Sequence, residues 1–508
     1  MSFLAQTTTT TGVNFPTIVF TLAVWSATVF ALIALAMPDQ TPEQRARIKA
    51  VATSGAGAAL FFSIWATQTQ AANAAGGAPG GELLEQHSWL SSFPFPSTYH
   101  LDADGLGLGL LLLVSVVFFC ASLAAWRNDR RVKLLSFCML ILETAFLGVL
   151  VAYDWLLFLF FWSLPVAPVY LLVRGFGRGH RARAASRYAI ASLLTTALLI
   201  LVAGLITVQG NLRAFDMGTL PTLPGTGQAV CFWLTAAAFL LTMAVVPVHS
   251  ALLDLEEDST GALAAVFGAV LPTMGAYGLL HVTLGFFPIA VNYSLFFAAL
   301  AVVTVLWSGV MALRADDLRR LIGHAGNVLM GLVLLGVAGH TTISLTGATY
   351  ILIARGLAVA LLMLAASAIQ ERTRRIRISQ LGGLAWQAPH LAAFWGVGIL
   401  TASGIPLLGG FFGELLLFTG AFPAHRWTTV VVLGGTLLLA GVLLWTAQRV
   451  FAGAEHEGFS RVRDLGVLEI TYLGILAAVS LFFGILPAHF DTLFMNGATN
   501  ILYPLSAG

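Results

Sequence analysis

Long apolar runs alternate with short polar connections along almost the whole chain. Runs of about 20 apolar residues, the length that crosses a bilayer as an α-helix, recur from residue 17 to residue 487. We therefore expect an all-α, polytopic membrane protein with about fourteen transmembrane helices. The predicted spans are 17–37, 51–70, 105–126, 134–152, 155–173, 188–208, 231–248, 262–282, 293–313, 321–339, 345–368, 388–420, 428–448 and 468–487.

Positive charge is concentrated in every second connection. Of the 25 Lys and Arg residues, all but Arg213, Arg355 and Arg426 fall in six short clusters. The clusters lie within 45–49, 127–133, 174–187, 314–320, 372–377 and 449–463. Cationic loops stay on the cytoplasmic side of a membrane, so these connections are predicted to be cytoplasmic. Both termini and the acidic external loop 71–104 are then predicted to lie on the opposite side.

The composition supports a membrane protein and narrows its chemistry. Hydrophobic residues make up 58% of the chain and charged residues 9%, and the mean hydropathy of +0.88 excludes an ordinary soluble domain. The net charge of +2 is partitioned between loops, so a nucleic-acid partner is not expected. Cys120, Cys138 and Cys231 lie in apolar runs without paired spacing, which argues against a metal site or a disulfide. No Walker A or paired-cysteine motif is present, so no cofactor is expected in this chain.

Two of the predicted helices are interrupted. The seventh meets Pro247 and runs into the acidic stretch 254–258, and the twelfth contains Pro406 with glycines on both sides. Proline removes a helix hydrogen bond, and the freed carbonyl is tolerated at membrane depth only where it is buried in protein or faces water. One such break alone is interpreted as a packing kink. Two breaks about 160 residues apart favour an ion path within an inverted repeat.

Three ionisable side chains fall inside predicted spans, where each needs a partner or water. Glu143 in the fourth span is a candidate proton acceptor, or else it pairs with a polar group nearby. Arg355 and Glu414 lie on the adjacent eleventh and twelfth spans, and an ion pair between them is the arrangement expected to cost least. Such a pair is either a static link between helices or a titrating site. Asp154, at the end of a span, is expected to be solvated.

Short motifs spread over roughly residues 100–490 carry a family resemblance. In chain order they are YHLDADGLGL at 99–108, LET at 142–144, FFW at 160–162, VVPVH at 245–249, GAYGLL at 275–280, DLRRLI at 317–322, MG at 330–331, LGGL at 381–384 and GIP followed by GFFGE within 404–414. The chain resembles subunit M of proton-pumping NADH–quinone oxidoreductase, which is chain 4 in mitochondria. That superfamily also includes subunits of multisubunit Na⁺/H⁺ antiporters and of membrane-bound hydrogenases.

The resemblance implies a fold and an assembly. It implies fourteen spans with two inverted five-helix repeats, each holding one broken helix. We divide the chain accordingly into helices 1–3 with the external loop (1–133), a first repeat (134–282), a second repeat (293–448) and a C-terminal loop with the last helix (449–508). The implied partners are other membrane-arm subunits of a multi-chain complex in a bacterial cytoplasmic membrane. Flavin, iron–sulfur clusters and quinone are implied to belong to those partners.

The chain departs from the family where its relatives carry protons. The resemblance implies Glu, Lys, Lys, His and His, in that order, at Ser163, Thr242, Thr273, Leu329 and Arg355. Of this proton-carrying series only Glu414 is retained in type. Threonine and leucine do not bind a proton near neutrality, and arginine holds its proton permanently. We therefore expect that this chain cannot run the lysine-based relay of its relatives.

Three interpretations stay open from the sequence. The chain is a structurally required subunit of a complex-I-type NADH–quinone oxidoreductase that no longer pumps, or that pumps through a hydrated route. Alternatively, it belongs to a cation/proton antiporter or another ion transporter that uses the broken-helix cavity. In the third, it is a structural paralogue that lengthens or caps a membrane arm. The candidate proton-path residues are Glu143, Ser163, Thr242, Thr273, Arg355 and Glu414.

Overall fold

Helices make up most of the computed structural model, which describes residues 18–75, 85–90, 97–209, 217, 223, 225–453 and 462–506. Their bounds are α1 Val19–Ala36, α2 Pro42–Ala75, α3 Gly105–Ala124, α4 Val132–Val151, α5 Trp155–Ser163, α6 Val166–Phe176, α7 Arg181–Gln209, α8 Gly225–Met243, α9 Ser250–Asp258, α10 Gly261–Tyr277, α11 Ser294–Arg314, α12 Leu318–Gly339, α13 Thr342–Thr373, α14 Leu384–Gln387, α15 Pro389–Ala402, α16 Gly409–Ala421, α17 Arg426–Phe451, α18 Val467–Ile485 and α19 Ala488–Ser506.

The predicted transmembrane architecture is confirmed. Among the described residues, thirteen helices are long and apolar enough to cross a membrane, counting α5 together with α6. The π-helical segment Gly278–Leu284 continues α10 within one of these spans. The shorter apolar helices α15 and α16 form the two halves of the twelfth predicted span. Each of the fourteen predicted spans therefore corresponds to a helix or to a pair of helices.

Three helices form the centre of the bundle. The spans of α10 and α12 are completely buried, and that of α13 is almost completely buried. Such helices are surrounded by other helices. Outer helices such as α1, α7 and α17 instead leave one face uncovered. Polar side chains in the middle of the central helices, such as Asn327 and Arg355, are therefore enclosed by protein. Arg320 and Glu371, near helix ends, are exposed.

Both predicted helix breaks are present. The first lies between α8 and α9, where residues 244–249 include Pro247 and leave the helical path. The second lies between α15 and α16, where Gly404 has φ +61° and Leu407 has φ +79°. Glycine adopts the left-handed conformation without steric cost, so Gly404 allows this turn. Each break therefore leaves a helix discontinuous, as in the broken helices of membrane transporters.

A β-hairpin lies within the predicted external loop. Its strands are β1 Glu85–Leu90 and β2 Ser97–Leu101; the rest of the 71–104 loop between residues 76 and 96 lies outside the described residues. The Glu85 carboxylate accepts hydrogen bonds from the backbone N–H of Phe20 at 2.7 Å and of Thr21 at 3.1 Å. The hairpin is thereby tied to the start of α1, because free helix N–H groups favour an anion.

Asp154 is buried, so the expectation that it is solvated is wrong. Its carboxylate caps α5 by accepting from the N–H of Leu156 at 2.9 Å and of Leu157 at 3.2 Å. The hydroxyl of Ser97, on β2, donates to the same carboxylate at 2.9 Å. Helix capping explains how a carboxylate at a span end can be enclosed without an ion pair.

The C-terminal helix α19 was not predicted from the sequence. It packs against α3 through a close backbone crossing, where a Cβ on Gly105 would collide with the carbonyl of Leu493. A Cβ on Gly497 would come within 3.0 Å of the Gly105 backbone N. Two facing glycines let helices approach more closely than larger residues allow.

Candidate functional site

Arg355 lies at the crossing of the three central helices. Only 1% of this residue is exposed. Its Nε donates to the carbonyl of Gly326 on α12 at 3.0 Å, and its Nη2 donates to that of Gly268 on α10 at 3.0 Å. Its Nη1 reaches the carbonyl of Ala269 at 3.3 Å and the hydroxyl of Thr273 at 3.5 Å. A guanidinium is thus held at the centre of the bundle by helix carbonyls.

The predicted ion pair between Arg355 and Glu414 is wrong. Arg355 donates its hydrogen bonds to carbonyls and to the Thr273 hydroxyl. In the described chain, no carboxylate oxygen lies within 4.0 Å of its guanidinium nitrogens. Glu414 instead lies on α16 against the second helix break, where a Cβ at Gly404 would stand 2.6 Å from Oε1. A helix carbonyl that already accepts one hydrogen bond has a second lone pair. These lone pairs accept the N–H groups of Arg355, so the guanidinium needs no carboxylate partner.

The acidic side chain whose charge acts on Arg355 is Glu256, which was not a candidate from the sequence. Glu256 lies on α9, directly after the first helix break, and only 1% of it is exposed. Its carboxyl packs against Gly323 on α12 and against Gly268, where a Cβ would stand 3.0 Å from Oε1. Gly268 therefore contacts Glu256 through its Cα and Arg355 through its carbonyl. The two charges attract one another electrostatically but do not form an ion pair within 4.0 Å.

A helical pattern in the sequence could have identified Glu256. Leu252 and Leu253 precede it by four and three residues, and both are buried on the same face of α9. Residues three and four apart share one face of a helix, so Glu256 is the carboxylate on the apolar face. The acidic stretch 254–258 concealed this, because four acids in one short run do not show which of them lies on the apolar face.

Further polar atoms without a protein partner lie close to this centre. His324 follows Gly323 on α12, and its ring centroid is 6.2 Å from that of His249 at the first break. In the part of the chain that the structure describes, Nδ1 of both rings, Oε2 of Glu256 and both amide atoms of Asn327 have no hydrogen-bond partner. Buried polar groups without a protein partner are typically bonded to internal water. This region therefore has the chemistry of a hydrated polar strip.

Glu143 occupies a separate place. It lies on α4, fully buried, and neither carboxyl oxygen has a partner among the described residues. A cavity between α2, α3 and α4 has a lining that extends from Lys49 and Asn128 to Glu143. At the loop end, Lys49 donates to Asp129 at 2.5 Å and holds the pKa of that carboxyl below its usual range. Glu143 as a proton acceptor stays a prediction, since nothing here tests it.

The three predicted hydroxyl positions do not form a chain. Ser163 donates to the carbonyl of Phe160 at 3.0 Å, and Thr242 donates to that of Ala238 at 3.1 Å. Thr273 donates to the carbonyl of Ala269 at 2.7 Å and also meets Arg355. Each hydroxyl is thus bonded to its own helix. Among the candidate proton-path residues, the structure brings together only Arg355 and Thr273.

The space beside Thr242 is mainly apolar. A cavity there is lined mostly by apolar side chains, with a few hydroxyl groups among them. Its lining includes Trp162, Tyr188, Thr195, Thr242 and Met274. Among the described residues, no carboxylate or ammonium contributes to this lining, so the cavity presents no acid or amine for a proton relay near neutral pH.

Comparison with known families and relatives gives consistent matches. The family described as "NADH:quinone oxidoreductase/Mrp antiporter, TM" matches residues 152–439. F(420)H(2) dehydrogenase subunit M of Methanosarcina mazei is 29% identical over 441 residues, which cover 84% of this chain and 88% of that protein. NAD(P)H-quinone oxidoreductase chain 4 2 of Microcystis aeruginosa is 30% identical over 74% of this chain and 69% of that protein. NADH-quinone oxidoreductase subunit M of Rhodobacter capsulatus is 28% identical over 81% of this chain and 82% of that protein.

Solved structures share the fold. A chain of respiratory complex I from Thermus thermophilus superimposes with a TM-score of 0.86 at 24% identity, over 96% of this chain and 99% of that one. A chain of the Mrp complex from Dietzia sp. superimposes with a TM-score of 0.82 at 19% identity, over 97% of this chain and 99% of that one. At these identities the likeness concerns the fold alone.

Proposed function

Since the chain belongs to the family of NADH:quinone oxidoreductase and Mrp antiporter transmembrane subunits, we propose that it acts as one membrane-arm subunit of a complex-I-type quinone oxidoreductase. Its curated relatives include subunits M and chains 4 of such enzymes, and they match along most of their length. Flavin, iron–sulfur clusters and quinone then belong to partner subunits, and this chain contributes an antiporter-like channel domain.

The contact between Arg355 and Thr273 is the observation that supports the loss of the lysine-based proton relay. The relatives are expected to have a lysine at position 273 and a histidine at position 355. Here the positive charge comes from the neighbouring helix and ends 3.5 Å from the Thr273 hydroxyl. A guanidinium does not release its proton, so the charge at this point is permanent. The chain therefore lacks the lysine-based relay, although its broken-helix scaffold is intact.

The two repeats are placed at 134–282 and 293–448. In this division the broken helices α8–α9 and α15–α16 take the same place, the fourth span of each repeat. The family match over 152–439 extends across both repeats. The flanking regions 1–133 and 449–508 then hold the external hairpin and the C-terminal helices.

We propose that the basic connections lie in the cytoplasm. Both termini would then lie on the opposite side of a bacterial cytoplasmic membrane. Single cysteines introduced at Arg183 and at His87, in a chain without its native cysteines, test this placement. A membrane-impermeant maleimide applied to intact cells should label position 87 and leave position 183 unlabelled. Labelling of both positions from the same side would contradict it.

Assembly is tested by purifying the tagged full-length chain from its native membrane and identifying what purifies with it. We expect other membrane-arm subunits together with peripheral subunits that contain flavin and iron–sulfur clusters. Recovery with antiporter subunits only, and cation/proton exchange in vesicles without electron transfer, would contradict the proposal and support the Mrp-type alternative.

A further inference from the structure

We propose that Glu256 is a proton-binding site of this chain, set between the first helix break and the permanent charge of Arg355. The inference rests on the proposed function and deepens it, because it names a group that can load and release a proton where the lysine relay is missing. None of the family positions considered in the sequence analysis includes this residue.

The first argument is burial without a fixed partner. Glu256 is 1% exposed, and its Oε2 has no hydrogen-bond partner in the described chain. An ionised carboxylate in such a place costs several kcal/mol unless it is paired, so the group gains by taking up a proton. The glycines at 268 and 323 leave the space that the carboxyl fills.

The second argument is the position of Arg355. The guanidinium is close enough to favour the ionised carboxyl, yet its Nε, Nη1 and Nη2 are all directed to carbonyls of α10 and α12. A carboxylate locked in a two-point ion pair would stay ionised, because its charge would be fully compensated. Glu256 is not locked in this way. Burial and the nearby cation therefore oppose each other, which makes both protonation states accessible.

The third argument is a route to the carboxyl. His249 lies at the first helix break and His324 beside Gly323, which contacts Glu256. Both rings have an Nδ1 without a protein partner in the residues described, and at 6.2 Å between centroids a water is needed to join them. A neutral imidazole can pass a proton on, because it accepts at one ring nitrogen while it donates from the other. The break, the two histidines and Glu256 are the polar groups from which the proposed route is built.

The other charges around α9 already have partners and lie outside this path. Asp254 forms an ion pair with Arg187 on α7, and Glu257 faces Arg320 on α12 at 3.7 Å. Arg319 donates to the carbonyls of Glu257 and Ser259. Towards the interior, the Glu256 carboxyl packs against Gly323 on α12 and lies in the field of the Arg355 charge from α13. It is therefore the carboxyl of α9 that is turned into the bundle.

The chain provides a matched control, because Glu257 is the next residue and its side chain is 38% exposed. Glu256→Gln and Glu257→Gln are introduced into the assembled complex in its native host. Assembly is measured by native gel, and the proton-to-electron ratio is measured in proteoliposomes that hold the purified complex. We expect both variants to assemble, the ratio to fall with Glu256→Gln, and the wild-type ratio to persist with Glu257→Gln. An unchanged ratio with Glu256→Gln would overturn the proposal.

A double variant distinguishes proton binding from a purely structural role. Glu256→Gln combined with Arg355→Gln removes both charges, so it keeps the charge balance even if the single variant fails to assemble. Proton binding at Glu256 predicts that the assembled double variant still has the lowered ratio. A structural pair predicts that the double variant regains the wild-type ratio, and that result would overturn the proposal.

Infrared difference spectra give a readout that a structural role does not change. The carbonyl band of a protonated carboxylic acid should change on turnover in the wild type and in Glu257→Gln, and this change should be lost in Glu256→Gln. Persistence of the band change in Glu256→Gln would count against the site. If the chain purifies with antiporter subunits only, the proposed function fails, but the same spectra under an imposed pH gradient still test Glu256.

Discussion

A buried arginine can keep its charge at mid-membrane when helix carbonyls surround it, and Arg355 does so. Its donors reach Gly326, Gly268 and Ala269, at positions where small residues let the guanidinium approach the backbone. These carbonyls also accept from their own helices, so each contact uses a spare lone pair. The guanidinium is thus hydrogen-bonded to both neighbouring central helices, α10 and α12. A lysine ammonium could swing away by a small side-chain rotation, but the guanidinium of Arg355 would have to break all of these bonds.

This arrangement predicts the result of restoring the family lysine. Thr273→Lys would place an ammonium beside the guanidinium of Arg355, which already lies 3.5 Å from the threonine hydroxyl. Two like charges about 4 Å apart repel by about 4 kcal/mol at an effective dielectric constant of about 20. That is a large part of the stability of a typical protein. We expect Thr273→Lys to lower the amount of assembled complex severely, measured by native gel.

The control and the rescue use the same two positions. Thr273→Val removes a hydroxyl that is bonded to its own helix, so its cost should stay within about 1 kcal/mol. Thr273→Lys together with Arg355→His should recover assembly, because one cation then replaces the other. Full assembly of the single lysine variant would show that the two groups are not confined to one space.

At the residue scale, the sequence identified which groups matter better than it identified their contacts. Arg355 and Glu414 were predicted from charge inside apolar runs; Arg355 lies in a central helix, and Glu414 lies partly buried beside the second break. Their pairing was wrong because the sequence does not show that carbonyls of other helices are available to an arginine. Glu256 was missed because four acids in one short stretch look solvated until the helical phase is assigned.

At the scale of elements, the breaks were predictable because proline and glycine act locally. Pro247, Pro406 and the glycines beside Pro406 limit the backbone whatever the surrounding helices do. The hairpin and α19 were not predicted, since both depend on docking to other elements. Glu85 caps α1, and α19 fits a glycine face on α3. Such partners are distant in sequence and leave no local pattern.

The second break offers a test of local geometry. Gly404→Ala places a methyl group at φ +61° against the carboxyl of Glu414. Left-handed backbone and the collision together should destabilise the complex by about 1–3 kcal/mol. Gly396→Ala, in the helix α15 with nothing within 4 Å of the new methyl group, should be neutral or slightly stabilising. Midpoints of thermal unfolding of the purified complex decide this, and equal midpoints for the two variants would contradict the interpretation.

The start of α18 is held by a buried carboxylate. Glu469 accepts from Arg372 at 2.5 and 2.9 Å, from Arg127 at 2.6 Å and from the N–H of Gly466 at 2.7 Å. Glu469→Gln leaves the largely buried guanidinium of Arg372 without its anion, and breaking a buried pair typically costs about 3–5 kcal/mol. We expect a correspondingly large drop in the thermal midpoint.

Glu371 is the control for this prediction. Its side chain is 46% exposed and meets Arg127 at 3.1 Å. Exposed ion pairs contribute about 0–1 kcal/mol, so Glu371→Gln should shift the midpoint little. A similar shift in both variants would mean that the burial of Glu469 is not what stabilises α18.

At the scale of the whole molecule, the bundle is closed by its last helix. Ending the chain at Leu486 removes α19, uncovers the glycine face of α3 and removes the carbonyl of Pro487, to which the Tyr350 hydroxyl donates at 2.8 Å. We expect this truncation to abolish accumulation of the complex, measured by immunoblot of membranes. Removal of residues 507–508 alone should leave accumulation unchanged. Normal levels of the shorter chain would contradict the role of α19.

The contact between α19 and α3 also has a consequence for biosynthesis. A ribosome delivers α3 to the membrane long before α19, with about 360 residues made between them. The two facing glycines cannot meet until α19 has been made and inserted. During that whole interval the groove on α3 stays uncovered. A chain that stops early therefore always presents the same unfilled groove, which gives membrane proteases a single feature by which incomplete copies differ from finished ones.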